Sequence, residues 1–552
     1  MKIRKQIAQI IMLASLAFLQ NANSQTIEKE NISNAEKIIG LEFTDAERDS
    51  MIGFLDEQLG NYNKIREIEL NNNVPPAILF NPIPVGYDFP KERRPLRFSN
   101  YSYVKIPKDK NELALFSIGE LAEIIRTKQI TSVELTEFFI QRLKKYDPIL
   151  HCVITLTEER ALNQAKLMDK EIKAGMYRGP LHGIPYGVKD LLATKDYKTT
   201  WGSVPFKDQM INEDATVVKK LEEAGGVLVA KLTMGELAWG DVWFGEKTRN
   251  PWDTANGSSG SSAGSASAVS AGLVPFAIGT ETYGSIVSPS TVCGTTGLRP
   301  TYGRVSRTGA MALSWSMDKI GTICRTAEDL AIVFNTINGS DGIDQTLQDA
   351  SFTYDHDINF KDLKIGYLQN DFDKQYDFHD NDSITLAKLI ELGAELIPIE
   401  LPKLPINDLS IILSAEAAAA FDELTRSNKD DLLVRQIKNA WPNSFRASRF
   451  ITAVEYINAN RIRFMLIQEM QMLMEKIDIY IAPSWEGDNL LLTNLTGHPC
   501  VVLPNGSSEK GTPTSISFIG RLFDEGKLIA FAKAYQDATG FHKRYPPMFK
   551  GK

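Results

Sequence analysis

A chain of 552 residues has room for two or three average domains, or for one large α/β domain with insertions. With 43% hydrophobic and 24% charged residues it can bury a sizeable core, and a formal charge of -8 with no Lys/Arg stripe among aromatics excludes a broad basic field for nucleic acid. The cysteines (Cys152, Cys293, Cys324, Cys500) and six scattered histidines lack metal-ligand spacing, so neither a metal nor a cofactor is expected.

The chain begins MKIRKQIAQIIMLASLAFLQNANSQ, in which Lys2, Arg4 and Lys5 precede an apolar run from Ile7 to Leu19 and the small residues Ala22-Asn23-Ser24. This predicts a secretory signal peptide over residues 1–24, cleaved near Ser24, and an exported protein, periplasmic or extracellular. The run is short for a bilayer span, which takes about 20 residues, and no later stretch is long and apolar enough for one. In an oxidising compartment the four cysteines read as buried free thiols, with one disulfide left open.

Residues 25–110 read as an extension. Thr44-Asp45-Ala46-Glu47 is a capping box, and Met51, Phe54, Leu55, Leu59 and Tyr62 recur at helical spacing, which predicts an amphipathic helix over 45–70. Asn71-Asn72-Asn73 and Pro75-Pro76 end it, and a Pro-rich strap follows. From residue 111 to about 548 the pattern is that of one α/β domain. Capping boxes at Ser117–Glu120 and Thr131–Glu134 open two helices, further helices are predicted over 157–174 and 214–223, and VLVAK (227–231) begins a series of buried-strand patterns. LKIGYL (363–368), AELIPIEL (394–401), DIYIAP (478–483), CVVLP (500–504) and SISFIG (515–520) continue it, giving a large sheet covered by helices on both faces. Residues 411–477 interrupt the alternation with helical pattern alone and are expected to form a helical lobe over one edge. Its methionines (Met465, Met470, Met472, Met474) read as core packing.

The stretch GSSGSSAGSASAVSAG (257–272) has the composition of a flexible tether. It also contains Gly260-Ser261-Ser262-Ala263-Gly264, which fits the GxSxG nucleophile elbow and would make Ser262 a nucleophile, with His498 or His542 as base. An elbow follows a buried strand, and the preceding TRNPWDTANGSSG holds no apolar run, so that reading fails. Other parts fit together better. GIPYGVKD (183–190) is strand-like and ends in Lys189, whose neutral amine can accept a proton in a water-poor site. GTETYGSI (279–286) is a Gly-bounded turn after the apolar run LVPFAI and presents Ser285. A further serine can relay a proton, because its hydroxyl both donates and accepts.

In combination these parts are specific. The stretches RGPLHGIPYGVKD (178–190), GSSGSSAGSASAVSAGLVPFAIGTETYGSIVSPSTVCGTTGLRPTYGRVS (257–306) and SMDKIGTICRTAEDLA (316–331), with the tail NLTGHPCVVLP, resemble the amidase signature family of serine hydrolases from about residue 112 to Pro547. The resemblance implies the amidase signature fold, a large mixed β-sheet covered by helices on both faces. It implies a Ser–Ser–Lys triad in which Lys189 is the base, Ser261 the bridging serine held in a cis peptide, and Ser285 the nucleophile. The backbone N–H groups of Thr282, Tyr283, Gly284 and Ser285 would form the oxyanion hole. Many family members carry glycine at the positions of Tyr283 and Ala263, so Tyr283 is expected to narrow or polarise the pocket. The implied activity is hydrolysis of linear carboxamides through an acyl-enzyme, on a small-molecule or peptide amide, with a homodimer left open. The alternatives are the glutamine-hydrolysing component of an amidotransferase, disfavoured by the export signal and acidic chain, and a secreted non-catalytic binding protein on the same scaffold.

Overall fold

The computed structural model describes residues 27–39, 41–67, 96–348 and 350–550. The signal peptide expected over 1–24, the helix stop at 71–76 and most of the Pro-rich strap lie outside the described residues.

Among the described residues thirteen strands follow one another: β1 (Val153–Leu156), β2 (Pro185–Lys189), β3 (Val227–Leu232), β4 (Arg249–Asn250), β5 (Asp253–Gly257), β6 (Phe276–Glu281), β7 (Thr296–Arg299), β8 (Lys319–Cys324), β9 (Ile365–Leu368), β10 (Leu396–Ile399), β11 (Ile479–Pro483), β12 (Cys500–Ser507) and β13 (Pro513–Gly520). Eleven form one sheet, in the order β1-β3-β2-β6-β8-β7-β12-β13-β11-β9-β10, while β4 and β5 make a separate ribbon. The sheet is mixed: β3, β2 and β6 run parallel, as do β11, β9 and β10, and antiparallel pairs join the two blocks. Side-chain alternation separates its faces. Phe276 and Ile278 of β6 join one core cluster and Ala277 another, as do Ile479 and Ile481 against Tyr480 in β11.

The predicted helices are present with shifted ends. The capping boxes at Thr44, Ser117 and Thr131 close as expected, each N-cap side chain meeting the glutamate three residues on. Helices run Asp45–Arg66, Ile118–Arg126, Ser132–Leu150, Glu158–Lys173 and Thr216–Glu223. All six strand patterns form strands, and β12 and β13 extend past their apolar runs into a hairpin closed by Ser508 N–H donating to the Thr512 carbonyl at 2.8 Å. Strands β1 (VITL), β7 (TGLR) and β8 (KIGTIC) are additional to the predicted patterns.

Helices Ile411–Ala420, Asp422–Arg426, Trp441–Ser448 and Ala453–Met474 make the helical lobe. Met470 and Met474 are buried against Tyr480 and Ala482 of β11, whereas Met472 is exposed. The helices of the N-terminal extension lie on the lobe: Ile32, Phe43, Met51 and Leu55 cluster with Ala447, and Glu47 pairs with Arg446 at 2.9 Å. The four cysteines are buried free thiols. No helix among the described residues is long and apolar enough to cross a membrane.

Candidate active site

Strands β2 and β6 are parallel neighbours, with Val188 opposite Ile278, so Lys189 at the end of one and Glu281 at the end of the other reach the same edge of the sheet. Ligands of open α/β sheets bind at this carboxyl edge. The Gly/Ser stretch folds over it and enters the helix Ala263–Ser270, every residue of which is buried. Space dictates the small residues: a Cβ at Gly260 would run into the Gly240 carbonyl, and one at Gly264 into the Cys152 carbonyl. The peptide between Gly260 and Ser261 is cis. A close-packed bend, not a tether, explains the composition.

Lys189 is fully buried. Its Nζ lies 2.8 Å from Ser261 Oγ, 2.9 Å from Thr280 Oγ1 and 3.3 Å from Ser262 Oγ, with no ion-pair partner among the described residues. Burial pushes the amine down to about 7, against the opposing pull of the Asp318 and Glu281 carboxylates. The adjacent Asp190 gives it no counter-charge. That carboxylate is buried against Lys231 Nζ at 3.0 Å and accepts from Thr200 N–H at 2.8 Å.

Ser262 is committed to structure. Its Oγ donates to the Thr280 carbonyl and accepts from Thr280 N–H, both at 3.1 Å, and it is fully buried. The strand before it, β5, belongs to the partly exposed ribbon and not to the main sheet. His498 bonds to Thr496 Oγ1 at 2.8 Å, and burial, with Arg299 nearby, holds it down at about 3.

Ser285 ends a turn in which Gly284 takes φ +85°, a left-handed conformation that favours glycine. Glu281 braces the turn from below. Its carboxylate accepts from Ile286 N–H at 2.8 Å, Val287 N–H at 2.9 Å, Arg299 Nη1 at 2.8 Å and Asn494 Nδ2 at 2.9 Å. Burial alone would raise this carboxyl, but Arg299 and the N–H donors outweigh it and hold it at about 2. The N–H groups of Thr282, Tyr283, Gly284 and Ser285 have no protein acceptor among the described residues, unlike the two that follow. Four consecutive donors are thus left for something else.

The three residues Lys189, Ser261 and Ser285 meet unequally. Lys189 and Ser261 are in direct contact, while Ser285 is joined to the bend through its carbonyl, which accepts from Ser262 N–H at 3.1 Å. No hydrogen bond links the Ser261 and Ser285 hydroxyls, and Ser285 is 8% exposed against 1% for Ser261. A cavity of about 370 Å³ opens beside Thr280 and Thr282, with Leu191, Met311, Leu313 and Ile320 giving it a mainly apolar wall. Tyr283 does not line this cavity and stands 44% exposed. Sequence reading missed Thr280 as a partner of Lys189, and Asp318, which accepts from Thr282 Oγ1 at 2.5 Å. Neither lies in a spacing that marks it, although both fall inside the stretches that carry the resemblance. Remote from this edge in the chain, Asp355, His356 and Asp357 could form a metal-binding group, but Arg97 already pairs with both carboxylates, at 2.7 and 3.1 Å.

The family model described as Amidase matches residues 134–488. The chain belongs to the amidase family. A glutamyl-tRNA(Gln) amidotransferase component from Coxiella burnetii is 34% identical over 481 residues, covering 78% of this chain and 99% of that one. The putative amidase AmiD of Mycobacterium bovis is 33% identical over 474 residues, covering 80% and 98%. Among solved structures, the peptide amidase from Stenotrophomonas maltophilia is similar with a TM-score of 0.70 and 28% identity, covering 80% of this chain and 99% of that chain. This amidase family member therefore has the mixed-sheet fold of the family and is a hydrolase acting on C–N bonds in linear amides.

Proposed function

We propose that the protein is an exported amidase that cleaves linear carboxamides through an acyl-enzyme on Ser285. The observation that carries the reading is a buried amine, pushed down by burial and 2.8 Å from Ser261, beside the turn Thr282–Ser285, whose four N–H groups have no protein acceptor among the described residues. Neutral Lys189 takes a proton from Ser261 as Ser261 takes the proton of Ser285, and Ser285 Oγ attacks the amide carbonyl carbon. The turn amides receive the developing oxyanion, an environment in which one donor is worth about a hundredfold or more in rate. The proton returns through Ser261 to the leaving nitrogen, the C–N bond breaks, and water hydrolyses the ester. The hydroxyl-to-hydroxyl step needs Ser285 to turn toward Ser261 when substrate is bound, as catalytic hydrogen bonds often tighten only in the complex. The apolar cavity beside Thr282 supports a substrate with a compact apolar group on the scissile amide.

A panel of peptide, fatty acyl and aryl or alkyl amides, read by ammonia and amine release from protein lacking residues 1–24, tests the activity. The mass of the protein recovered from outside the cytoplasm tests cleavage near Ser24. A second reading, the glutamine-hydrolysing component of an amidotransferase, is favoured by the 34% identity to one component of such an enzyme. Stable co-purification with a partner and glutamine-dependent ammonia transfer would establish it instead.

A further inference from the structure

The segment 310–318 forms one wall of the cavity and meets the turn before Ser285 at a single carboxylate. Asp318 accepts from Thr282 Oγ1 at 2.5 Å through one oxygen, and from Leu313 N–H at 2.8 Å and Ser314 N–H at 2.9 Å through the other. The helical lobe grips the same segment from outside. Glu416 accepts from Ser314 Oγ at 2.5 Å, Ser316 N–H at 3.0 Å, Ser316 Oγ at 2.7 Å and Tyr456 OH at 2.8 Å. Arg463 donates to Ser316 Oγ at 2.7 Å and to the Ser316 carbonyl at 2.8 Å. Asp318 and Glu416 therefore form two buried anchors in series, with Thr282 at one end and the lobe at the other.

We propose that Asp318 is a positioning residue for the oxyanion-binding turn, and that Glu416 couples that turn to the docked helical lobe. The inference rests on the reading of Ser285 as nucleophile. Thr282 is the first residue of the turn, and a charge-assisted bond from its side chain fixes the peptide plane from which the donor series starts. Preorganised donors lose their effect when aimed loosely. Asp318 also acts through charge: with Glu281 it faces Lys189, and it is itself faced by Arg307 and Lys319. Removing its charge favours the neutral amine, so the base becomes available at lower pH.

The test compares Asp318→Asn, Thr282→Val, Thr282→Ser and Glu416→Gln in steady-state kinetics on one amide across the acid limb of the pH profile. Asparagine offers one accepting oxygen to three donors, and valine keeps the shape of threonine without its hydroxyl. The expected result is kcat lower by about tenfold or more in Asp318→Asn and Thr282→Val, with KM within about threefold of wild type and kcat in Thr282→Ser, which restores the hydroxyl, well above that in Thr282→Val. The acid limb moves to lower pH in Asp318→Asn only, a response that loosened packing would not give. Wild-type kcat in Thr282→Val overturns the positioning role, and this comparison decides the matter if Asp318→Asn does not fold. Wild-type kcat in Glu416→Gln overturns the coupling to the lobe. Retained turnover in Ser285→Ala would instead overturn the nucleophile on which the inference rests.

Discussion

Lys189 Nζ stands 2.8 Å from Ser261 Oγ in a site without water access to the amine, and the carboxylates that act on it, Asp318 and Glu281, are committed to other donors. Asp318 is taken by Thr282 and two backbone amides, and Glu281 by Arg299, Asn494 and two more. Burial without a contact ion pair is what brings a lysine to about 7, where it can serve as base near neutrality.

The first expected outcome concerns pH. The kcat/KM of amide hydrolysis rises with pH through about 7 as Lys189 loses its proton, then levels off. Stability follows the same group with a definite sign. Between about 7 and the ordinary value of 10.5 the unfolded chain holds a proton that the folded one lacks, so stability rises with pH across that window, while below it the burial cost is complete. Lys189→Met should be inactive yet unfold at higher temperature than wild type near pH 7, with the gap closing as pH climbs. Thermal scans at several pH values check this.

Ser285 and Ser262 should separate cleanly. Ser285→Ala abolishes both amide hydrolysis and labelling by a serine-directed phosphonate. Ser262→Ala keeps labelling on Ser285 but leaves the buried Thr280 N–H without its acceptor, a loss of about 1–3 kcal/mol of stability. Labelling retained in the first variant and lost in the second would revive the elbow.

Glu281→Gln should destabilise by about 3–5 kcal/mol, because Arg299 is left buried without its anion. The wild-type contribution is present above 4.5, the ordinary glutamate value, and is lost as pH falls toward about 2, so the difference between the proteins shrinks on acidification over that window. Urea unfolding at two pH values gives both quantities.

Gly260→Ala tests the bend. Its Cβ would meet the Gly240 carbonyl, which is backbone and cannot swing aside, so the bend must open and carry Ser261 away from Lys189. Activity should fall by at least about a hundredfold, the scale on which small misplacements act. Gly511→Ala, where a Cβ would meet nothing, reports only the cost of a positive φ and should retain activity.

Much of the architecture could be read in advance because its signals are local. Three capping boxes needed only residues three apart, and β3, β11 and β13 needed only short apolar runs. Strands β7 and β8 escaped because TGLR and KIGTIC carry Arg299 and Lys319 into the interior; Lys319 donates to the nearby Met317 carbonyl, while Arg299 is made tolerable by Glu281 and the His498 carbonyl, 18 and 199 residues away. Thr280 and Asp318 escaped for the same reason. A threonine that accepts from a lysine 91 residues away, and an aspartate that accepts from a threonine 36 residues away, leave no periodicity.

The sequence by itself determined the family and the need for small residues in the stretch 257–272, and it supplied Lys189, Ser261 and Ser285 as the expected triad. Those follow from residue type and order, which the chain carries in one dimension. Only the tertiary structure decided that Lys189 is sealed from water, that Asp190 turns to Lys231 instead, that Ser262 is spent on Thr280, and that a lobe near residue 416 reaches the turn at 282. Burial and partnership are properties of neighbours in space, and they set both the charge on an amine and the aim of a donor.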